Sequence, residues 1–293
     1  MSNGKFLSRR AAMRGLGILG AGAALSPAFP AGAAATPPDR TDVLAVIGDR
    51  WHSFDYLRTA FTRTLVKDGG ASVTFVPAPS DFGPEMLAGH KILLMLCDGL
   101  AFPGGYTTTY PFMDPEKVKI VSDPPVPPLD ETAVNWLTAA QGKAIRNFVE
   151  KGGSAWFFHN ANYISGGNAD FRHVEGALFT GHTDFRPYKM KIVKSDHPIT
   201  KGVKDFVVTE EQHFLLYDKN PMTVLIQSVN EEGRTFSTPK NGNQGASCEA
   251  CWAYELEKGR VCYMAPGHTI PSLWNPEYIK LQKNALRWLL RKS

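Results

Sequence analysis

Short apolar runs bounded by Gly, Pro and Asp recur along the chain from residue 42 onward, separated by stretches with helical spacing. Residues 42–49, 73–77, 91–97 and 154–158 are such runs. They lack the strict polar alternation of a half-exposed strand, so each predicts a strand of a buried parallel sheet. Between the first two, Phe54, Leu57, Phe61 and Leu65 recur on one helical face and Gly69-Gly70 follows, which predicts a helix over 54–68. A second helix is predicted over 131–151, closed by Gly152-Gly153, and a third over 169–180. Residues 188–193, 206–208 and 223–229 read as strands, and 251–256 with 260–264 as a hairpin. The final helix is the clearest. Asn275 is placed to N-cap it, Pro276 suits its first turn, and Tyr278, Leu281, Leu286 and Leu289 form one face.

This order of elements predicts an α/β fold with a flavodoxin-like, doubly wound, mostly parallel sheet. Residues 99–130 interrupt the rhythm with Pro103, Gly104, Gly105, Tyr106, Tyr110 and a proline-rich run over 123–128. A long ordered excursion of this kind is often a lid or binding loop. There is no internal repeat or low-complexity linker after the leader, so residues 36–293 are expected to form one domain.

Residues 1–35 read as a twin-arginine-type signal peptide. Arg9 and Arg10 precede a short apolar stretch over 16–25, and Ala31, Ala33 and Ala35 offer cleavage sites. Ala12 and Met13 stand where such motifs usually carry Phe-Leu, which leaves a Sec route or a retained anchor open. The stretch is too short to span a bilayer. The expectation is export to the periplasm or beyond, with the export machinery as a partner. The formal net charge of +4, from 32 basic and 28 acidic side chains, is partly the leader's own Lys5, Arg9, Arg10 and Arg14. Without a basic run or stripe, nucleic-acid binding is set aside. Of the four cysteines, Cys248 and Cys251 form a lone C-x-x-C. In an oxidising compartment it reads as a local disulfide or two inert thiols rather than a zinc site.

Open α/β sheets carry their sites at the carboxyl ends of the strands. That rule sorts the eight histidines. His52, His159 and His268 each follow a predicted strand, whereas His90 precedes one and His173 falls within a helix. The segment from Gly152-Gly153 through the apolar run to His159 has the form of a nucleophile elbow. It resembles the elbow of the class I glutamine amidotransferase-like fold, in which a cysteine normally stands at the apex. His159 occupies that place and no cysteine is near, so amidotransferase activity is not expected.

Several segments together resemble the ThuA-like (trehalose-utilisation) family. They are Trp51-His52, Gly152-Gly153 to His159, Gly181-His182, the stretch from His197 to Gly202, and Glu210-Glu211, where the family usually has Asp-Glu. Residues 259–269 with Gly267-His268, Trp274 to Tyr278, and Asn284 to Trp288 complete the match. Three features depart from the pattern: Gln212-His213-Phe214, the 99–130 excursion, and Cys248 with Cys251. The resemblance implies sugar utilisation, with trehalose-like disaccharides or their 3-keto derivatives as the small-molecule substrates.

Cleaving a 3-keto glycoside by elimination requires a base for the proton beside the ketone and an electrophile for the developing oxyanion. His159, His268 and Glu211 are the catalytic candidates. His52, His159, Glu211 and His268 have the composition of a zinc or manganese site. Trp51, His182 and Asn160 are candidates for contact with the sugar, and Tyr106 and Tyr110 for stacking on it. Each candidate has a structural alternative. His159 can serve as a packing residue at a tight turn, His52 as a cap for the next helix, and Glu211 as a solvated surface acid. His182 is undecided, and His197 reads as structural. Two other functions stay open: a non-catalytic carbohydrate-binding or accessory protein, and a metal-dependent amide or ester hydrolase on the same scaffold.

Overall fold

The computed structural model describes residues 41–106, 122–125, 127–230 and 248–292. The leader, Tyr110 and most of the 99–130 excursion lie outside the described residues. A nine-stranded sheet forms the centre, in the order β2-β1-β3-β6-β13-β12-β11-β8-β9. Its first half is β2 (Val73–Val76), β1 (Val43–Ile47), β3 (Ile92–Leu96), β6 (Ser154–Phe158) and β13 (Gly259–Met264), all parallel. β12 (Glu249–Leu256), β11 (Val224–Val229), β8 (Arg186–Ile192) and β9 (Phe206–Glu210) continue it antiparallel. The parallel half has the strand order of a flavodoxin-like sheet, with the topological switch between β1 and β3.

Every residue of β1, β3 and β6 is buried, as the unbroken apolar runs require of strands covered on both faces. Two helix groups provide the cover. α1 (Phe54–Phe61), α4 (Ile270–Leu273) and α5 (Pro276–Leu289) pack together, as do α2 (Ala139–Glu150) and α3 (Ala169–Glu175). The Asn275 side chain caps α5 by accepting from the Glu277 and Tyr278 amides.

Three predicted helices differ from expectation, the second and third for a local reason. The first is α-helical only to Phe61 and continues as a π-helical stretch over Thr62–Lys67. The second starts at Ala139 rather than 131, because Thr138 and Gln141 form a reciprocal capping box. The residues before it instead supply β5 (Val134–Asn135), which pairs with β4 (Leu100–Ala101) across the excursion. The third stops at Glu175, where Gly176 takes the left-handed conformation at φ 93°. Its expected second half is β7 (Ala177–His182), paired antiparallel with β10 (His213–Tyr217) in a separate ribbon. All four cysteines are free thiols, so no Cys248–Cys251 disulfide is formed.

Glu175 closes α3 with a fully buried carboxyl that accepts from the Ala177 amide at 2.9 Å and the Ser165 hydroxyl at 3.3 Å. Burial outweighs these bonds and pushes its pKa up to about 8. The folded state therefore holds this proton more tightly than the unfolded chain. Glu175 contributes full stability below its unfolded pKa, and that contribution is lost as pH rises toward 8. Glu175→Gln keeps an uncharged group of the same shape. It is expected to match wild type near pH 5 and to exceed it at pH 8 by on the order of 3–5 kcal/mol in chemical denaturation. A wild-type-to-variant difference that stays constant over this range would contradict the assignment.

Candidate active site

The carboxyl ends of β1, β3, β6 and β13 meet at one cavity of about 450 Å³. The connection that follows β6 is the expected elbow. His159 sits at its apex with φ 48°, an uncommon value for a residue with a side chain. The chain then enters a 3₁₀ helix over His159–Gly166. The turn is locked from beneath: Tyr263 donates its hydroxyl proton to the His159 carbonyl at 2.8 Å, and Asn162 donates to Tyr263 at 2.8 Å. After β13, Gly267 allows the second turn to close on the first. A Cβ at this position would lie 2.6 Å from the His159 Cβ and 3.1 Å from Leu96 Cδ1.

Asp49 organises the β1 end. Its Oδ1 accepts from the amides of Trp51 and His52 and from His52 Nδ1, at 2.8, 2.9 and 2.8 Å. Its Oδ2 accepts from the Asp98 amide at 3.1 Å and from Asn160 Nδ2 at 2.7 Å. Burial opposes ionisation of Asp49, but His52 and these donors hold its carboxyl below the usual range. With its Nδ1 proton given to Asp49, His52 presents Nε2 to His268 Nδ1 at 3.1 Å. His268 is clamped through its backbone, its amide donating to Glu210 Oε1 at 2.9 Å and its carbonyl accepting from Tyr56 at 2.7 Å.

The Glu210-Glu211 pair divides its work. Glu210 is fully buried beneath the turn, and burial raises its carboxyl to about 7 despite the donors around it. Glu211 faces the cavity at the corner between β9 and β10. Gln212 fixes that corner by hydrogen bonding to Thr183 and Ser228. Glu211 Oε2 lies 3.4 Å from His268 Nδ1 and 3.6 Å from His159 Nε2, and Oε1 lies 3.7 Å from His182 Nδ1. Burial disfavours its charge, yet the imidazoles beside it hold it well below the carboxylate range. His159 is lowered to about 4, first by complete burial and then by the His52 and His268 charges, with Glu211 opposing. His268 is raised, because the Glu211 and Glu210 carboxylates outweigh its burial.

His52, His159, His268 and Glu211 are thus brought together from three strand ends and the β9–β10 corner. Asn160 reaches the cavity with its amide spent on Asp49, Trp51 stands at the mouth, and His182 lines the wall with Nδ1 donating to the Thr183 carbonyl at 2.9 Å. His197 caps a 3₁₀ turn and packs against Trp288, and it does not line the cavity. Two participants were not singled out as site residues from the sequence. His213 is buried against His159, with ring centroids 4.2 Å apart, and is the cross-strand partner of His182. Asp98 follows β3 and lines the cavity; burial first, and Asp49 second, raise it to about 7. The strand-end rule applied to carboxylates would have found Asp98. His213 lies on a strand that its neighbours' pattern does not reveal.

The donor set fits a divalent cation. The ligand atoms of His52, His159 and His268 lie within 4.8 Å of one another, as do those of His159, Glu211 and His213. The His159 Nδ1 proton is given to the Ala265 carbonyl at 2.9 Å, which leaves Nε2 as the lone-pair nitrogen. That buried Nε2 has no hydrogen-bond partner. Tetrahedral ligands about 2.1 Å from zinc stand roughly 3.4 Å apart. The spacings of 3.1, 3.4 and 3.6 Å among these atoms bracket that value.

Fold and site together define a flavodoxin-like α/β protein with a buried histidine–carboxylate cluster at the carboxyl edge of its sheet. The family model described as ThuA, trehalose utilisation, matches residues 126–289, and the chain belongs to this family. Its description points to a carbohydrate-related role. No curated protein matches the sequence. Among solved structures, a ThuA-like protein from Bacteroides uniformis is 19% identical over 90% of this chain and 96% of its own, with a TM-score of 0.55. One from Parabacteroides merdae is 12% identical over 86% and 91%, with a TM-score of 0.57. A beta-galactosidase from Rahnella sp. is 12% identical over 86% of this chain but 32% of its own, with a TM-score of 0.51. At these identities the likeness is one of fold.

Gly267→Ala is expected to lower stability by about 1–3 kcal/mol, because the added methyl must displace the His159 or Leu96 side chain. Equilibrium denaturation measures this directly. A loss below about 0.5 kcal/mol would mean that the two turns do not depend on close approach.

Proposed function

We propose that the chain is an exported carbohydrate-active enzyme that cleaves 3-keto glycosides by elimination, assisted by a divalent metal. The observation that carries this reading is the convergence of His52, His159, His268 and Glu211, with the buried His159 Nε2 hydrogen-bonded to no protein atom and 3.6 Å from Glu211 Oε2. A zinc or manganese ion held by these residues would polarise the ketone oxygen and stabilise the negative charge that develops there. The leader motif supports export, and a twin-arginine route suits cargo folded around a cofactor.

Proton transfer falls to the cavity side chains outside the ligand set. His182 donates Nδ1–H to the Thr183 carbonyl, which leaves Nε2 as a base for the proton on the carbon beside the ketone. That C–H pair becomes the new double bond as the glycosidic C–O bond breaks. The electron pair departs with the leaving oxygen, which takes a proton from Asp98. A carboxyl raised to about 7 retains that proton near neutrality, whereas the adjoining Asp49 stays ionised. Two carboxyls with opposed environments are the arrangement in which acid and anion roles separate.

Elemental analysis of the purified protein is the first test. Near-stoichiometric zinc or manganese is expected in wild type, with a loss of at least about tenfold in His159→Ala and His268→Ala. With 3-keto glycosides, Asp98→Asn is expected to lower kcat by roughly 10²- to 10⁴-fold. A folded wild type that takes up no divalent cation after incubation would sink the metal-assisted mechanism. Metal uptake without turnover of any keto glycoside would favour a hydrolase of another substrate class.

A further inference from the structure

The cavity floor is polar and its mouth is aromatic. Among the described residues, Trp51, Tyr106, Tyr163 and Phe185 are the exposed Phe, Tyr and Trp side chains, with 53%, 36%, 46% and 43% of their surface accessible. All four belong to segments around this one opening. Trp51 and Tyr163 line it directly, together with Phe102 and Phe179. The Phe185 ring packs edge-on against His268 at 4.8 Å, and Tyr106 packs against Phe102 at 5.3 Å. These aromatics come from separate chain segments, so sequence proximity does not explain their clustering.

The rim is also held in shape. The Arg50 guanidinium lies 4.8 Å from the Trp51 ring centroid, 4.9 Å from Phe102 and 4.8 Å from Tyr106, and it pairs with Glu131 at 3.5 Å. One cation therefore ties three rings together, and its own charge is already engaged. Tyr163 packs against Phe179 at 5.8 Å on another part of the rim. Exposed aromatic surface concentrated at a cavity mouth is surface kept for a ligand.

The chemistry of the rim selects the ligand. A second sugar ring would bring several hydroxyls, and each one dried without a partner costs about 1–3 kcal/mol. Arg50 is engaged with Glu131, and the Asp98 carboxyl accepts from the Leu100 amide at 2.9 Å. A planar aryl group asks for no such partners. Each well-placed aromatic contact adds about 0.5–1.5 kcal/mol beyond burial.

We propose that this rim is a subsite for a planar aromatic aglycone, so that aryl glycosides are preferred over disaccharides. The sugar ring occupies the histidine–carboxylate floor, and the aryl ring lies against Trp51 and Tyr163. This inference rests on the keto-glycoside reading for the floor but makes a separate claim about the mouth.

The test compares phenyl and methyl 3-keto-glucosides and a 3-keto disaccharide on wild type, Trp51→Ala, Tyr163→Ala and Trp51→Phe. Calorimetric Kd and kcat/KM are the readouts. Wild type should favour the phenyl over the methyl compound by tenfold or more. That ratio should collapse in Trp51→Ala, shrink in Tyr163→Ala, and largely return in Trp51→Phe. Equal handling of phenyl and methyl compounds, or a disaccharide preference indifferent to Trp51→Ala, would overturn the proposal while leaving the keto-glycoside reading intact. If wild type neither binds nor converts any keto glycoside, that reading has failed, and phenol then probes the rim alone. Phenol binding lost in Trp51→Ala supports the subsite, and no phenol binding in wild type removes it.

Discussion

A single buried carboxylate ties the functional edge of this sheet together. Asp49 stands just beyond β1, on the switch-point side of the fold, and accepts from two amides of its own turn, the His52 imidazole, the Asp98 amide and the Asn160 side chain. Those donors belong to the ends of β1, β3 and β6. A charge placed this deep is tolerable only when its oxygens are saturated with donors, so each donor is held by the need to satisfy it. Fixing His52 Nδ1 as the donating nitrogen also directs Nε2 toward His268. The orientation of the cluster is therefore inherited from a residue that does not line the cavity.

The remaining cluster members are held by backbone clamps of the same economy. Glu210 grips the His268 turn from below, while Glu211, its neighbour, faces the opposite way into the cavity. The Ala265 carbonyl fixes the His159 tautomer, and Tyr263 braces the His159 backbone. Each first contact with the cavity thus rests on a second group that sets which nitrogen or oxygen is offered. Like charges and burial then separate the carboxyls. Asp49 and Glu211 are held ionised, whereas Asp98 and Glu210 are shifted toward the protonated form. Of the two carboxyls that line the cavity, Glu211 is thus held toward the ionised form and Asp98 toward the protonated one.

The elbow after β6 carries an imidazole at its apex. The left-handed φ at the apex sets the buried imidazole against the His52 and His268 rings and Glu211. With Nδ1 donating to the Ala265 carbonyl, the atom left without a hydrogen bond is the imidazole Nε2. The neighbouring Gly267 turn permits this because only a residue without a Cβ lets the two turns touch.

Much of this was legible in the chain. Unbroken apolar runs placed β1, β3 and β6, the hairpin pattern placed β13, and the strand-end rule picked His52, His159 and His268 from eight histidines. Helix ends were legible where a local signal was heeded, as at Asn275, and misplaced where it was not, as at Thr138 and Gly176. These elements are decided by local propensity and period, which a single sequence displays. The β7–β10 ribbon is another matter. Its strands pair across more than thirty residues, and its register alone places His213 opposite His182. Whether Glu211 is a solvated acid or a cavity carboxylate depends on how Gln212 wedges between Thr183 and Ser228. The clustering of scattered aromatics around one mouth likewise has no sequence signature. Residue types and strand ends were thus set by the sequence alone, but the convergence of side chains from distant segments was decided by tertiary packing, because cross-chain register and burial exist only once the chain has folded.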